Sequence, residues 1–189
     1  MKSFDYEMAE DTNKLIDKLN KYVDELGFIF EGKIHKISGK YLYHSSRREF
    51  LDEIKKKGLM PYKAGNLVDY LDENYERDNL KHYVKIKSLL SKLKLVYLAS
   101  TTSCCIYNTV GYDAYDDDVS YNKTYTMFRF NKSLVSKYLY HDVESFDCEA
   151  LVSIINIPPQ YLEIGYPVKK LILKGEQSLD YVYKWKNLI

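Results

Sequence analysis

An α+β fold is the class this sequence predicts, and three observations predict it. Apolar residues recur at helical spacing before residue 95. After residue 95 they alternate, or run in short blocks rich in Val, Ile, Tyr and Phe, as strands do. The 189 residues are one domain's worth of chain, enough to bury a substantial core without disulfide or metal staples. Hydrophobic residues are 46% and charged residues 29%, which excludes a disordered or fibrous chain. No repeat or linker-like composition shift breaks the sequence, so 1–189 is expected to be a single domain.

In residues 5–26, Met8, Leu15, Ile16, Leu19, Tyr22, Val23 and Leu26 keep helical spacing and Gly27 offers a C′ stop. An amphipathic N-terminal helix therefore fills 1–27. Phe28-Ile29-Phe30 and Gly39-Lys40-Tyr41-Leu42-Tyr43-His44 read as short strands. Ser45-Ser46 then offers an N-cap for a helix over 47–57, ended by Gly58. Residues 67–93 carry Leu71, Tyr75, Leu80, Tyr83, Ile86, Leu89 and Leu90 in a polar background, which predicts a helical insertion of one or two helices.

Leu95-Val96-Tyr97-Leu98-Ala99 is a strand, and Ser100-Thr101-Thr102-Ser103 can cap a short helix through Tyr107. Residues 111–122 read as a long loop. Tyr125-Thr126-Met127-Phe128-Arg129-Phe130 alternates as a strand, and a turn or short helix leads on towards Tyr140. Residues 150–157 form a strand stopped by Pro158-Pro159. Two more strands, over 161–164 and 168–173, precede a closing helix over 178–186.

Lys plus Arg number 28 against 27 Asp plus Glu, a net charge of +1. That disfavours a globally basic nucleic-acid binder and leaves only local patches, at Arg47-Arg48 and Lys55-Lys56-Lys57. The longest apolar runs, Leu171-Ile172-Leu173 and 152–157, fall far short of the roughly 20 residues that cross a bilayer. No membrane partner is expected. Met1-Lys2-Ser3-Phe4-Asp5 lacks the apolar stretch of a secretory signal. Three cysteines, Cys104, Cys105 and Cys148, suit a reducing compartment, so a cytoplasmic location is expected.

Metal chemistry is not predicted. Asp113 with Asp116-Asp117-Asp118 misses the spacing of a calcium loop, and Cys104-Cys105 has no Cys-x-x-Cys frame for zinc. No Gly-rich phosphate loop is present, and nothing in the sequence brings Cys148 and His141 together as a nucleophile and base.

Three pieces share one form, a polar residue at a strand end beside a cap: Tyr43-His44-Ser45-Ser46-Arg47, Val96-Tyr97-Leu98-Ala99-Ser100 and Asp147-Cys148-Glu149-Ala150-Leu151-Val152. Their order, with Gly58-Leu59 and Pro61 after the first and Ile157-Pro158-Pro159-Gln160-Tyr161-Leu162 after the last, resembles ADP-ribosyltransferases of the diphtheria-toxin and poly(ADP-ribose) polymerase type. The resemblance covers residues 40–165. It implies a split, mostly antiparallel sheet on which a His, a Tyr and a Glu converge, and NAD as substrate with no metal.

Carried over position by position, the resemblance makes His44 the group that holds the adenosine ribose and Ser45 the backbone that grips the nicotinamide amide, with Ser46 beside it. Tyr97 would stack on the nicotinamide ring, Ser103 would contact the carboxamide, Tyr107 could add a second stacking face and Glu149 would be catalytic. These residue types suit the chemistry. Breaking the nicotinamide–ribose bond leaves an oxocarbenium-like cation, which a carboxylate bound to the ribose 2′-hydroxyl stabilises. Flat rings orient the leaving pyridine at low entropic cost.

The chain departs from the family where Ser45 replaces a Gly that lets nicotinamide approach closely. Ser100-Thr101-Thr102-Ser103 and Asp147-Cys148-Glu149 are similar to motifs of the cholera-toxin branch, but His44 stands where that branch has Arg. Tyr43 and Ser45 do not fit the RNA 2′-phosphotransferases. The expected activity is mono-ADP-ribosylation of a macromolecule, a protein rather than a nucleic acid on charge grounds, with a nucleic-acid acceptor as the lesser option. The family also implies a role as a toxin or host-modifying enzyme in conflict between bacteria and phages, acting in a host cytoplasm. The alternatives are an NAD glycohydrolase and a non-catalytic module with the same sheet.

Overall fold

A computed structural model of the protein describes residues 3–32, 37, 39–74, 81–110, 121, 123–143, 150–172 and 179–189. The fold is α+β. Its helices are α1 (Tyr6–Leu19), α2 (Val23–Leu26), α3 (Leu51–Lys57), α4 (Gly65–Asn74), α5 (Tyr83–Leu90) and α6 (Thr102–Val110). Its strands are β1 (Tyr41–Arg47), β2 (Tyr62–Lys63), β3 (Lys94–Ala99), β4 (Tyr125–Asn131), β5 (Leu139–His141), β6 (Ala150–Ser153), β7 (Glu163–Ile172) and β8 (Leu179–Asn187). Among the described residues the sheet runs β5-β6-β3-β1-β4-β7-β8, with β2 paired to β3 off that path. Every pairing among them is antiparallel.

The N-terminal helix starts as its composition dictates. The Asp5 carboxylate accepts the Met8 N–H at 3.0 Å, Ala9, Thr12, Ile16 and Leu19 form the buried face, and Gly27 closes the segment at φ 69°. Phe28-Ile29-Phe30 is not a strand. The Asn20 side chain takes both the N–H and the C=O of Phe30, at 3.0 and 3.2 Å, which removes the backbone groups a strand partner would need. Both Phe rings turn into the core instead.

β1 runs to Arg47, past the expected helix cap. Ser45 and Ser46 pair with Met127 and Thr126 in a seven-residue register with β4, so they continue the strand instead of capping a helix. The following helix opens as a 3₁₀ turn, Arg48–Phe50, without a side-chain cap. The insertion does form helices α4 and α5, tied together where Tyr83 and Lys87 both donate to Asp72. α6 starts with a cap, Cys104 N–H donating to Thr101 Oγ1 at 3.2 Å, and extends to Val110.

The C-terminal third needs three corrections. β6 ends at Ser153, whose hydroxyl donates to the Ile155 carbonyl and bends the chain. The two strands expected over 161–164 and 168–173 are one, β7. The expected closing helix over 178–186 is strand β8, because Tyr181, Tyr183 and Trp185 alternate with the exposed Val182, Lys184 and Lys186 at a period of two. The turn or short helix expected from Asn131 towards Tyr140 is present as two 3₁₀ turns, Lys132–Leu134 and Ser136–Tyr138, and β5 follows them. The loop expected over 111–122 lies outside the described residues except for Tyr121.

The largest fully buried rings, Phe128 and Phe130, sit with Leu42 under one face of the sheet. A smaller cluster of Ala99, Cys105, Met127, Ala150, Tyr121 and Tyr181 lies against α6. Where α3 ends, Leu59 and Ile157 exchange backbone hydrogen bonds of 2.9 Å each way, joining the first motif's helix to the end of the β6 segment.

Candidate functional site

The described parts of the three motif pieces lie on neighbouring strands. β1 carries His44, β3 carries Tyr97, and β6 starts at Ala150, one residue after Glu149 in the chain. β3 and β6 stay paired from Ala99↔Ala150 to Val96↔Ser153. β1 and β3 pair only at Tyr43↔Ala99 and then part, so the sheet splits beside His44 and Tyr97.

The His44 ring leans into that split. Its Nδ1 lies 2.8 Å from the Tyr97 carbonyl oxygen, and since a carbonyl only accepts, Nδ1 carries the proton. In the neutral ring Nε2 is then an acceptor alone. Burial pushes the His44 pKa down from 6.5, partly offset by the bond to the Tyr97 carbonyl. The unfolded chain therefore takes up a proton near pH 6.5 that the folded chain refuses, and stability falls as pH drops below 6.5 until the lower folded pKa is passed. Urea melts between pH 5 and 7.5 are expected to show this decline, and His44→Gln to flatten it. An unchanged slope in His44→Gln would contradict the assignment.

The half-buried Tyr97 points its phenol at α4, donating to Asn66 Oδ1 at 2.6 Å. Ser45 is occupied from the other side. Its Oγ lies 2.8 Å from the Tyr121 hydroxyl, and its backbone hydrogen-bonds the Cys105 thiol of α6. Burial raises the pKa of both Cys105 and Tyr121 far above neutrality, so the thiol is no nucleophile and the phenol stays protonated. Ser46 pairs with Thr126 and, two residues from His44, projects from the same face of β1.

Ser103 and Tyr107 are brought together, one turn apart on α6. Helical geometry sets them roughly opposite Cys105, the α6 side chain that meets Ser45. Both are half-buried, and neither is the residue that covers Ser45. Glu149 lies outside the described residues, as do Cys148 and Asp113, Asp116, Asp117 and Asp118. Among the described residues no group of three or more His, Cys, Asp or Glu could hold a metal ion.

The residues at this site that sequence reasoning missed are Asn66, Cys105 and Tyr121. Asn66 has no signal beyond its place in the helical insertion. Cys105 could have been found from the helix it shares with Ser103, and Tyr121 from its four-residue spacing to Tyr125, on whose ring it stacks at 5.4 Å. No family model, curated protein or solved structure matches the chain.

Proposed function

We propose that the protein is a mono-ADP-ribosyltransferase whose sheet is the split one of the His-Tyr-Glu enzymes. The observation that carries the reading is the His44 Nδ1 bond to the Tyr97 carbonyl, made where β1 and β3 part and beside the strand that follows Glu149. NAD lies in the split, with a ribose hydroxyl donating to His44 Nε2 and the pyridine ring against Tyr97. The ribose–nicotinamide C–N bond breaks, nicotinamide leaves with the bonding electrons, and Glu149 stabilises the ribosyl cation through the 2′-hydroxyl. A nucleophilic atom of a macromolecular acceptor then forms the new bond to the anomeric carbon and loses its proton. The test is incubation of the purified protein with NAD labelled in the adenylate, together with cell lysate. Label on a macromolecule supports transfer, nicotinamide release without it supports the glycohydrolase, and the absence of both label and free nicotinamide removes the enzyme claim.

A second reading, a non-catalytic module, has its own observation. Tyr121 and Cys105 engage the hydroxyl and backbone of Ser45, the place that the family keeps open for the nicotinamide amide. This reading predicts biological function that survives loss of Glu149.

A further inference from the structure

β4 and β7 part beyond the Met127↔Gly165 pair, and a cavity of about 280 Å³ opens in the fork. The rings of Tyr121, Tyr125, Tyr166 and Tyr183 line it, and among the described residues Arg48 is its only charged side chain. That volume lies near the lower limit for small-molecule pockets, room for one heterocycle rather than a dinucleotide.

The outer face of the β7–β8 hairpin continues from this cavity. The register sets Tyr166 opposite Lys184 and Lys169 opposite Val182, so these side chains share one face with Lys186, two residues on from Lys184, and that face ends where Ile164, opposite Lys186, is buried in the core. Tyr166 is 47% exposed, and the Lys186 ammonium lies 5.4 Å from its ring centroid. The hairpin's described carboxylates are engaged elsewhere, Glu163 with Arg129 at 2.5 Å and Asp180 accepting from Thr102 at 2.7 Å. Lysines alone would serve to guard an edge strand against pairing. An exposed ring that joins those lysines to an aromatic cavity is more than a guard requires.

We propose that this face binds single-stranded nucleic acid, one base seated in the fork between Tyr125 and Tyr166 and the phosphates on Lys184 and Lys186. Lys184 and Lys186 are about 7 Å apart along the strand, the spacing of neighbouring phosphates in an extended chain. Base stacking on the tyrosines and cations along the backbone are the two ingredients of such sites. The inference stands apart from NAD chemistry, since nothing in it uses His44, Tyr97 or Glu149.

Fluorescence anisotropy of the whole protein with labelled dT and U dodecamers tests it. Binding of either is expected. Lys184→Gln with Lys186→Gln should weaken it at least tenfold and lower the log–log salt slope by about 1.4, at roughly 0.7 for each phosphate that is no longer neutralised. Tyr166→Ala should cost roughly tenfold and leave the slope unchanged. Absence of binding to both strands, indifference to the double substitution, or a mononucleotide competing as well as a dodecamer would overturn the proposal, and each result leaves the NAD reading untouched.

Discussion

Glu149→Gln is expected to lower nicotinamide release and label transfer by at least about a hundredfold, the usual cost of removing a group that meets developing charge. The amide keeps the size of the carboxylate and can still contact the ribose, so NAD affinity and thermal stability should stay near those of the parent. In the proposed reading this separation arises because ground-state affinity rests on other groups: His44 Nε2, an acceptor fixed by the Tyr97 carbonyl, and the Tyr97 ring, held by Asn66. A substitution that lowered the rate and the melting temperature together would point to a structural role for Glu149. Equal activity would favour the non-catalytic module, for which the occupied Ser45 is the argument.

Gly58→Ala should have the largest effect on stability. Gly58 holds φ 82° and ψ −167°, a region that only glycine enters without strain. A Cβ there would stand 2.0 Å from the Ile157 carbonyl oxygen and 2.9 Å from Pro158 Cα, both backbone atoms that no rotamer change can move aside. The strain alone costs about 1–3 kcal/mol, and the clash forces apart the Leu59–Ile157 backbone pair as well. A loss of at least about 3 kcal/mol is expected in urea unfolding, or roughly 6–12 °C in Tm at this chain length. A loss below about 1 kcal/mol, the low end of that strain range, would mean that the α3 terminus moves freely away from Ile157.

What can be read from the sequence follows the strength of local signals. β4 is legible from its alternation, β1 and β3 from short runs of Tyr, Leu and Val, and α6 from its Ser/Thr cap, because each pattern agrees with the pairing the chain finds. Gly27 ends the first helical segment for the same reason. β8 reads wrongly as a helix because Tyr, Val and Lys satisfy helical spacing as well as alternation over nine residues, and only the β7 partner decides between them. Phe28 to Phe30 fails for the opposite reason, as a side chain ten residues away takes the backbone bonds that define a strand.

The candidate site divides similarly. That His44 and Tyr97 stand on strands of one sheet is what the resemblance implies, while the bond between the His44 ring and the Tyr97 carbonyl has no signal in the sequence. Which residues surround Ser45 is only weakly legible: Cys105 shares a readable helix with Ser103 and Tyr121 lies four residues from Tyr125, but no local pattern reports that either reaches Ser45.

The direct measurement of the central claim is an NAD titration followed through the ring signals of the protein's four histidines by NMR, with His44→Gln assigning one of them. A ribose hydroxyl donating to Nε2 should shift the His44 signals saturably while the other three stay put. Saturable NAD binding that leaves His44 unmoved, or no binding at millimolar NAD, would contradict the placement of the donor in the split between β1 and β3.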